Sequence, residues 1–434
     1  MKLQFMFFLG IANFLKKGSI SRYLKGSIVG IGLSLIPLIV VLEVTDGMIE
    51  GITSRYLEIG TYHMEIFFNN YRNLEELETL GNRIDGIKGV KETIVEKRGT
   101  ALISAHGLRT AVVLRAIPND LYKRDQGYKK YMRIISGEFG FHNESSILVS
   151  KAIADKLKLK VGDKIPLVTV GENAFSDSYP KFGVFTVTGI FSTGYQEMDK
   201  LLVFISLKKG MKYITASGSS QIIGVKVDNP FKDLSVIANN IEKVLPKGTA
   251  IYSWYELEIG QYKSFRTTKA MLVLIMALIV IIASINISSS MIMIVIEKSR
   301  EIAILKSIGA YPWMITGAFL LTGFAAGFAG TVLGLASGIL ISVNINEIFV
   351  YLQGFFNIIS AGISYVLQPI TGQGRLSGFE IFNSVYYLDR IPIRLNITEL
   401  SLVSFGTILL SVLASYFPAK KAGLLKPLKL LRRY

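Results

Sequence analysis

The chain has no cysteine and only three histidines. Without cysteine it can form neither a disulfide framework nor a thiolate metal site, and it cannot be anchored through a lipid on an N-terminal cysteine. His63, His106 and His142 lie far apart, and no H-E-x-x-H or G-x-S-x-G motif occurs. We therefore expect these histidines to be structural or solvated, without a metal or catalytic role.

A phosphate loop is also missing from the sequence. No G-x-x-x-x-G-K-[ST] string occurs, so the chain has no P-loop ATPase site of its own. Any ATP that drives this protein must be bound and hydrolysed by a partner subunit. We predict that the chain itself is not an enzyme and carries no cofactor.

Apolar sequence, by contrast, is abundant. Half of the 434 residues are hydrophobic, the mean hydropathy is +0.43, and the apolar residues gather in long uncharged runs, which is typical of membrane proteins. The formal net charge is +16, but many Lys and Arg residues flank the apolar runs, at 2–25, 298–306 and 420–433. This clustering indicates the positive-inside pattern, and we expect no nucleic-acid partner.

Four apolar runs are long enough to cross a bilayer, which takes about 20 residues. They are 26–44, 270–296, 310–346 and 400–419. The first follows basic residues but ends at Glu43 without an A-x-A site, so we expect an uncleaved anchor. An even number of spans keeps both basic ends, 1–25 and 420–434, in the cytoplasm.

The third run leaves an alternative open. It is long for one helix, and the uncharged stretch 348–370 allows two further crossings, which gives six spans. Gln, Asn, Gly and Pro residues in that stretch favour an interfacial or extracytoplasmic position. We therefore predict four transmembrane helices and a mixed α+β extracytoplasmic domain at 45–269, with a cytoplasmic helix at 297–309 and an extracytoplasmic loop at 347–399.

The third run also carries two series of glycines at four-residue spacing. The series are Gly323 with Gly327, and Gly330 with Gly334 and Gly338. Small residues at this spacing let another helix approach the backbone closely. That helix could belong to the same chain or to a second subunit, and the spacing alone does not choose between them.

The segment between the first two spans has the patterns of a folded domain. Strands are predicted where apolar residues alternate with polar ones, at 185–188 and 223–228, and in the apolar runs 165–170 and 201–207. Helical spacing occurs at 74–87 and 150–159, and Gly162-Asp163 marks a turn. Residues 171–181 form a polar turn whose aromatics, Phe175 and Tyr179, we expect to be exposed and able to contact a partner.

An amphipathic helix is predicted after the second span. Glu297, Arg300 and Glu301 share one face by their spacing, while Ile302, Leu305 and Gly309 share another. Gly309 followed by Pro312 ends the helix. Physical reasoning alone allows this helix to lie on the lipid surface or to bind a partner.

The same segment resembles a known family. The string E-K-S-R-E-I-A-I-L-K-S-I-G-A, within 286–310, is similar to the coupling-helix segment of the type VII ABC permeases, which include LolC and LolE, MacB and FtsX. The basic segment 8–25, the turn 161–163, and the stretches 386–393 and 411–422 look like the LolC/LolE branch. The resemblance covers most of the chain and is strongest at its ends.

The resemblance implies that the chain is an inner-membrane permease subunit that passes lipoproteins to a periplasmic carrier. A LolD-like ATPase, which holds ATP and Mg, is expected to dock on the coupling helix. The residues implied there are Glu297, Lys298, Arg300, Glu301, Ile302, Ala303, Leu305, Lys306 and Gly309. A second permease, identical or paralogous, is implied as a further partner.

Two other sites follow from the resemblance. A LolA-like carrier is expected to engage the loop residues Phe175, Tyr179, Pro180 and Lys181. The cavity that accepts the acyl chains of lipoprotein substrates is expected to be lined by Leu38, Val41 and Leu42. Other functions remain open: an FtsX-like signal transmitter that controls a cell-wall hydrolase, or a MacB-like efflux permease. A membrane-anchored enzyme ranks last, because no catalytic set is found.

Overall fold

The computed structural model describes residues 19–172, 178–215, 219–257, 259–371 and 391–425. Its contacts divide the chain into two compact units. One, the helical unit, contains the described residues up to Met48, from Phe265 to 371 and from Pro392 to 425. The other, the sheet unit, contains the described residues of Ile49–Ser264 and Ile391.

The described helices are numbered in chain order. They are α1 Ser19–Arg55, α2 Leu74–Asp85, α3 Leu121–Arg124, α4 Gln126–Tyr131, α5 Lys151–Leu157, α6 Gln196–Asp199, α7 Leu207–Tyr213, α8 Ser235–Glu242, α9 Trp254–Leu257, α10 Ile259–Glu297, α11 Ser299–Ser307, α12 Pro312–Val343, α13 Ile345–Thr371 and α14 Ile397–Leu424. A π-helical turn, Tyr56–Gly60, follows α1.

Four helical segments are long and apolar enough to cross a membrane. They are Arg22–Gly60, Tyr262–Glu297, Pro312–Val343 and Ile397–Leu424. The predicted third span, 310–346, extends beyond the helix at both ends, because α12 begins at Pro312 and ends at Val343. The Asn344 side chain follows the helix and donates to the Leu340 carbonyl at 2.8 Å. The region predicted as a loop from 347 onward begins instead as the helix α13.

The glycines of α12 settle the alternative left open by their spacing, because both series pack inside this chain. A Cβ added at Gly334 would lie 2.8 Å from the Cβ of Leu35 on α1, and one at Gly327 would lie 2.5 Å from the Cβ of Ser411 on α14. Backbone contact this close requires glycine. One glycine series of α12 therefore packs closely against α1, and the other packs closely against α14.

The sheet unit contains ten described strands. They are β1 Met64–Phe68, β2 Val90–Ala105, β3 Leu108–Ile117, β4 Arg133–Gly137, β5 Ser146–Ser150, β6 Lys164–Glu172, β7 Ser178–Ser192, β8 Leu202–Ser206, β9 Ser220–Val227 and β10 Thr249–Ser253. Their order is β10-β1-β9-β2-β3-β8-β5-β7-β4, and β6 pairs with both β2 and β7. The β3–β8 and β5–β7 pairs are parallel, and the other pairs are antiparallel.

The double pairing of β6 closes part of this sheet on itself. The pairs β2–β3, β3–β8, β8–β5, β5–β7, β7–β6 and β6–β2 form a ring of six strands. The long strand β2 makes this possible, because β9 pairs along its first half and β6 pairs at Ala101–Ile103. Closure removes unpaired edges and leaves an apolar interior that includes Leu114, Leu167 and Phe185.

Local sequence signals explain several boundaries in this unit. Ser150 caps α5 through its hydroxyl, which accepts from the Ile153 N–H, and Lys158 ends the helix in the left-handed region. Gly162 follows with φ +95°, a turn conformation that favours glycine. The strands predicted at 165–170, 185–188, 201–207 and 223–228 are confirmed as parts of β6, β7, β8 and β9.

Candidate functional surfaces

The predicted coupling helix is α11, and it is shorter than the predicted range 297–309. Glu297 is the last residue of α10, and Lys298, with φ −90° and ψ 5°, separates that helix from α11. The backbone of α11 nevertheless joins α10 closely, because the Lys298 N–H donates to the Ile294 carbonyl at 2.9 Å. The Ile302 N–H in turn donates to the Lys298 carbonyl at 2.9 Å, so no loop separates the two helices.

The end of α11 is fixed by Gly309, as the sequence predicts. Gly309 has φ +99°, the Gly309 N–H donates to the Lys306 carbonyl at 3.1 Å, and the Ala310 N–H donates to the Leu305 carbonyl at 3.0 Å. These two bonds form a Schellman motif. Pro312 then begins α12, where its missing N–H costs nothing.

The predicted coupling residues divide between two faces of α11. Ile302 and Ala303 are buried, and Lys298 is nearly so, with its ammonium paired to Glu301. Their side chains pack within the helical unit, and their contact with a partner stays a prediction. Exposed residues on the open face include Glu297, Arg300, Glu301, Ile304 and Ile308.

Ile304 and Ile308 are the residues that sequence reasoning missed. They are separated by one helical turn, and Ile308 is 79 % exposed. Two apolar side chains exposed beside Arg300 and Glu301 make a surface suited to a protein partner. We call Arg300, Glu301, Ile304 and Ile308 the coupling face. The i, i+4 spacing of two isoleucines was the available signal, but it competed with the similar spacing of Ile302 and Leu305.

Lys306 ties α11 to the last helix of the chain. Its ammonium donates to the carbonyl oxygens of Gly423 and Leu425, at 2.7 Å each, at the C-terminal end of α14. A cation satisfies the free carbonyls and complements the negative end of the helix dipole there. Lys306 thus fixes α11 to the end of α14.

The predicted carrier loop is the hairpin of β6 and β7. Phe175 lies outside the described residues. Tyr179 and Pro180 pair with Gly171 and Val170 and are exposed. The Lys181 ammonium donates to the Lys212 carbonyl at 2.7 Å and lies 5.7 Å from the Tyr213 ring.

An apolar stripe runs along the outer side of this hairpin. Phe182 is 72 % exposed and Val184 is 61 % exposed, while Phe185 between the same strands is buried. Val168 of β6 pairs with Phe182 and with Leu102 of β2, so these side chains share a face of the sheet. We call Leu102, Phe182 and Val184 the hairpin stripe. The signal available in the sequence is that Phe182 and Val184 are two residues apart on one strand, which places them on one face.

The predicted acyl-chain positions on α1 are mostly buried. Leu38 and Leu42 are each 6 % exposed and belong to the apolar core of the helical unit. Val41 is half-buried. The side that α1 exposes carries Val29 and Leu33 instead. In this chain alone Leu38 and Leu42 therefore pack in the core of the helical unit, and their contact with acyl chains stays a prediction.

Charged groups join three helices of the helical unit. The Lys269 ammonium of α10 lies 2.5 Å from an Asp46 carboxylate oxygen of α1 and 2.8 Å from the Glu399 carboxylate of α14. The attraction between this one cation and the two carboxylates offsets the free-energy cost of removing the three groups from water. These contacts hold the ends of three candidate spans together.

The sheet unit buries a larger ion cluster around the turn Tyr56–Gly60. Arg115 pairs with Glu96 and donates to the Ile59 carbonyl, and Arg98 donates to the Gly60 carbonyl at 2.9 Å. Burial alone raises the pKa of Glu96, but Arg115 and Arg98 hold it at about 2. Burial raises the pKa of Glu65 to about 6, although Arg98 pairs with it.

The histidines lie at structural positions. His63 Nδ1 accepts the Val227 N–H at 2.8 Å. His106 has φ 50° at the turn between β2 and β3, with its Nδ1 3.0 Å from the Leu157 carbonyl. His142 is exposed and lies 2.7 Å from Glu138. In the described part of the chain, no three His, Asp or Glu side chains are grouped to hold a metal ion.

Comparison with known proteins gives a consistent picture. Residues 273–427 match the FtsX-like permease C-terminal family. The lipoprotein-releasing system transmembrane protein LolC of Neisseria meningitidis serogroup B is 26 % identical over 96 % of this chain and 95 % of its own length. The corresponding LolE protein of Haemophilus influenzae is 26 % identical over 94 % of this chain and 93 % of its own.

Two solved structures are similar in part. The periplasmic region of MacB from Actinobacillus actinomycetemcomitans matches 48 % of this chain and 92 % of that chain, with 10 % identity and a TM-score of 0.30. The extracellular domain of the ABC-type transporter YknZ from Gram-positive bacteria matches 44 % of this chain and 99 % of that chain, with 13 % identity and a TM-score of 0.28.

Proposed function

We propose, from the premise that this chain belongs to the LolC/LolE-type permeases of the MacB/FtsX superfamily, that it releases lipoproteins from the outer leaflet of the inner membrane. The observation that carries this proposal is the similarity to lipoprotein-releasing proteins over nearly the whole chain. The similarity includes both the helical unit and the sheet unit. The released lipoprotein passes to a LolA-like periplasmic carrier.

The proposed topology places both chain ends in the cytoplasm and the sheet unit in the periplasm. Four candidate spans support it, since an even number returns the chain to its starting side. Lys and Arg residues near 298–306 and 420–433 agree with the positive-inside rule on that side. The coupling face is then accessible from the cytoplasm.

The coupling face is proposed to bind a LolD-like ATPase subunit. Ile304 and Ile308 offer apolar contacts, and Arg300 and Glu301 offer charges of both signs around them. ATP and Mg are held by that partner, and this chain carries out no covalent chemistry. Closure of the ATPase moves α11, and Lys298 and Lys306 pass the movement to α10 and α14.

The hairpin stripe is proposed to contact the carrier, together with Tyr179 and Pro180. Phe182 and Val184 present apolar area that water covers in the free chain. Lys181 is a positioning residue here, because its ammonium is engaged with the Lys212 carbonyl. The acyl chains of the substrate are proposed to pass along the exposed side of α1 near Val29, Leu33 and Val41, beside a second permease that is identical or paralogous.

Depletion of the protein in its own organism tests the proposed function. Inner and outer membranes are separated, and the lipoproteins in each are quantified. Lipoproteins stranded in the inner membrane are expected. Normal lipoprotein sorting with a cell-wall or division defect would refute the proposal and favour signal transmission of the FtsX kind, and a defect in drug efflux alone would favour transport of the MacB kind.

A residue-level test uses the coupling face. Ile308→Glu places a charge at the most exposed apolar position and is expected to lower ATPase copurification at least tenfold, since buried apolar anchors dominate such interfaces. Ile397→Glu is the matched control, because Ile397 is also highly exposed, at 78 %, but is the first residue of α14 and does not belong to the coupling face. Equal loss of the ATPase in both variants would contradict the assignment of the coupling face.

A further inference from the structure

A groove of about 750 Å³ lies in the sheet unit, beside the start of α10. Its residues come from the segment 230–242, from β10 and α9, from Met64 on β1 and from Tyr262 on α10. This groove has no part in the proposed function. Its lining combines aromatic rings with carboxylates at the rim, a combination that points to a particular ligand chemistry.

Four aromatic rings form one side of the groove. The Trp254 ring lies 5.9 Å from Phe231, 6.0 Å from Tyr255 and 5.6 Å from Tyr262, each in an edge-to-face arrangement. The Trp254 indole N–H donates to the Pro230 carbonyl at 2.9 Å, which fixes the ring. Phe231 is 62 % exposed and Tyr255 is 41 % exposed, so π-faces of this cluster are open to a ligand.

Three carboxylates and one ammonium stand at the rim of the groove. Asp233, Glu242, Glu256 and Lys232 are all exposed. The Ser235 N–H lowers the pKa of Asp233. Glu256 accepts hydrogen bonds from the Ser253 N–H and hydroxyl, which hold its carboxylate in place. Among the described residues, no ion pair engages Asp233, Glu242 or Lys232.

Aromatic faces beside carboxylates attract an organic cation, and the rings and the acids act in the same direction. The lysine adds a site for an anion close to that cation. A zwitterion with an ammonium and a phosphate a few bonds apart matches both requirements. Tyr262, which lines the groove, is also the first residue of a candidate membrane span, and Trp and Tyr residues are enriched at the headgroup level of membranes.

We infer that this groove binds the ethanolamine headgroup of a membrane phospholipid, with the ammonium between the aromatic rings and the rim carboxylates and the phosphate toward Lys232. The inference is independent of lipoprotein release. It assigns the sheet unit a lipid contact near the first residue of the second candidate span. No covalent step is involved.

Tryptophan fluorescence tests this inference directly, because the chain has only two tryptophans. Trp313→Phe leaves Trp254 as the single reporter inside the groove. The full chain is placed in nanodiscs of phosphatidylglycerol, which lack ammonium groups, and is titrated with glycerophosphoethanolamine. We expect a saturable change in Trp254 emission in the millimolar range, the affinity that a few exposed contacts supply.

Variants locate the site. Glu242→Gln and Asp233→Asn each remove one rim charge, and Tyr255→Leu removes a π-face. Each substitution is expected to raise the half-saturating concentration about two- to fivefold. Tyr255→Phe keeps the ring and is expected to bind like the parent. Glu75→Gln, an exposed carboxylate on α2 outside the groove, is the matched control.

The same titration provides the outcomes that overturn the inference. Glycerophosphoglycerol has the phosphate without the ammonium and is expected to leave the emission unchanged. An equal response to both compounds, or no response to either, rejects an ethanolamine site. Binding of an oligolysine peptide without a response to glycerophosphoethanolamine also rejects it and points to a protein partner. Unfolding midpoints of the variants that match the parent show that lost binding is local.

Discussion

The two units bury polar groups in different ways. The sheet unit buries full charges and pairs them, as Arg115 and Glu96 show at its centre. The helical unit also buries Glu43 and Lys298, but most of its buried polar side chains are hydroxyls. Many of these bond to their own helix: Thr331 donates to the Gly327 carbonyl at 2.7 Å, and Ser415 donates to the Ser411 carbonyl at 2.8 Å. A helix in lipid must satisfy its polar groups internally, whereas a domain in water can gather partners from distant strands.

The difference teaches where each unit is vulnerable. In the sheet unit, one lost partner leaves a buried charge without compensation. In the helical unit, a hydroxyl can be lost without leaving an orphan, but close backbone contacts tolerate no added atom. Four substitutions, taken from the largest expected effect to the smallest, test this comparison.

Glu96→Gln is expected to have the largest effect. The substitution leaves the buried Arg115 guanidinium without its carboxylate, which costs about 3–5 kcal/mol of unfolding free energy in such pairs. Thermal unfolding of the full chain, followed by a probe in the sheet unit, measures the loss. Glu75→Gln, at an exposed position, serves as the control. A loss below about 1 kcal/mol for Glu96→Gln would show that water reaches the cluster.

Gly334→Ala probes close packing in the helical unit. The added Cβ lies 2.8 Å from the Cβ of Leu35 and 3.0 Å from the Gly32 carbonyl oxygen, so α1 and α12 must separate. Overpacking of this kind costs about 1–3 kcal/mol. Gly406→Ala on α14 is the control, because nothing lies within 4 Å of its added Cβ. Alanine favours a helix there by up to about 1 kcal/mol. Equal unfolding midpoints for the two variants would contradict the packing argument.

Glu65 predicts a pH dependence of the sheet unit. Its folded pKa, about 6, lies above its ordinary value of 4.5, so the folded state retains a proton that the unfolded chain loses. Stability therefore falls by about 2 kcal/mol as pH rises from 4.5 through 6. Glu65→Gln is expected to flatten this part of the stability curve. Unchanged pH dependence in that variant would assign the titration to another group.

Ser415→Ala is expected to have the smallest effect. The Ser415 hydroxyl bonds to its own helix, and the Ser411 carbonyl remains within that helix after the substitution. Buried side-chain hydrogen bonds in membrane helices contribute about 0.6 kcal/mol on average. Unfolding in a mixed detergent series measures the change. A cost as large as that of Glu96→Gln would end the contrast between the units.

The sequence was sufficient for the features that depend on near neighbours. Long apolar runs give the candidate spans, Gly309 and Gly162 give turns through their positive φ, and alternation at 223–228 gives β9. Residues adjacent in the chain determine these features. The spacing of the α12 glycines also predicted close approach, although not which helices would approach.

Features that depend on distant partners were not predictable. The hairpin of β2 and β3 was missed, since its turn at His106-Gly107 carries a non-glycine residue at positive φ. The closure of the strand ring depends on β6 meeting β2, which no local pattern records. Exposure of Ile304 rather than Ile302 is decided by how α11 packs, and exposure of Phe182 by which side of the hairpin faces the core.

The bond between Lys306 and the end of α14 has a consequence for biosynthesis. A ribosome completes residue 306 more than a hundred residues before Gly423 and Leu425, whose carbonyls hold its ammonium. Until the last helix has been made and inserted, Lys306 has no acceptors there and the coupling face lacks its final support. A chain truncated before Gly423 therefore lacks both acceptors, and its α11 has no bond from Lys306 to α14.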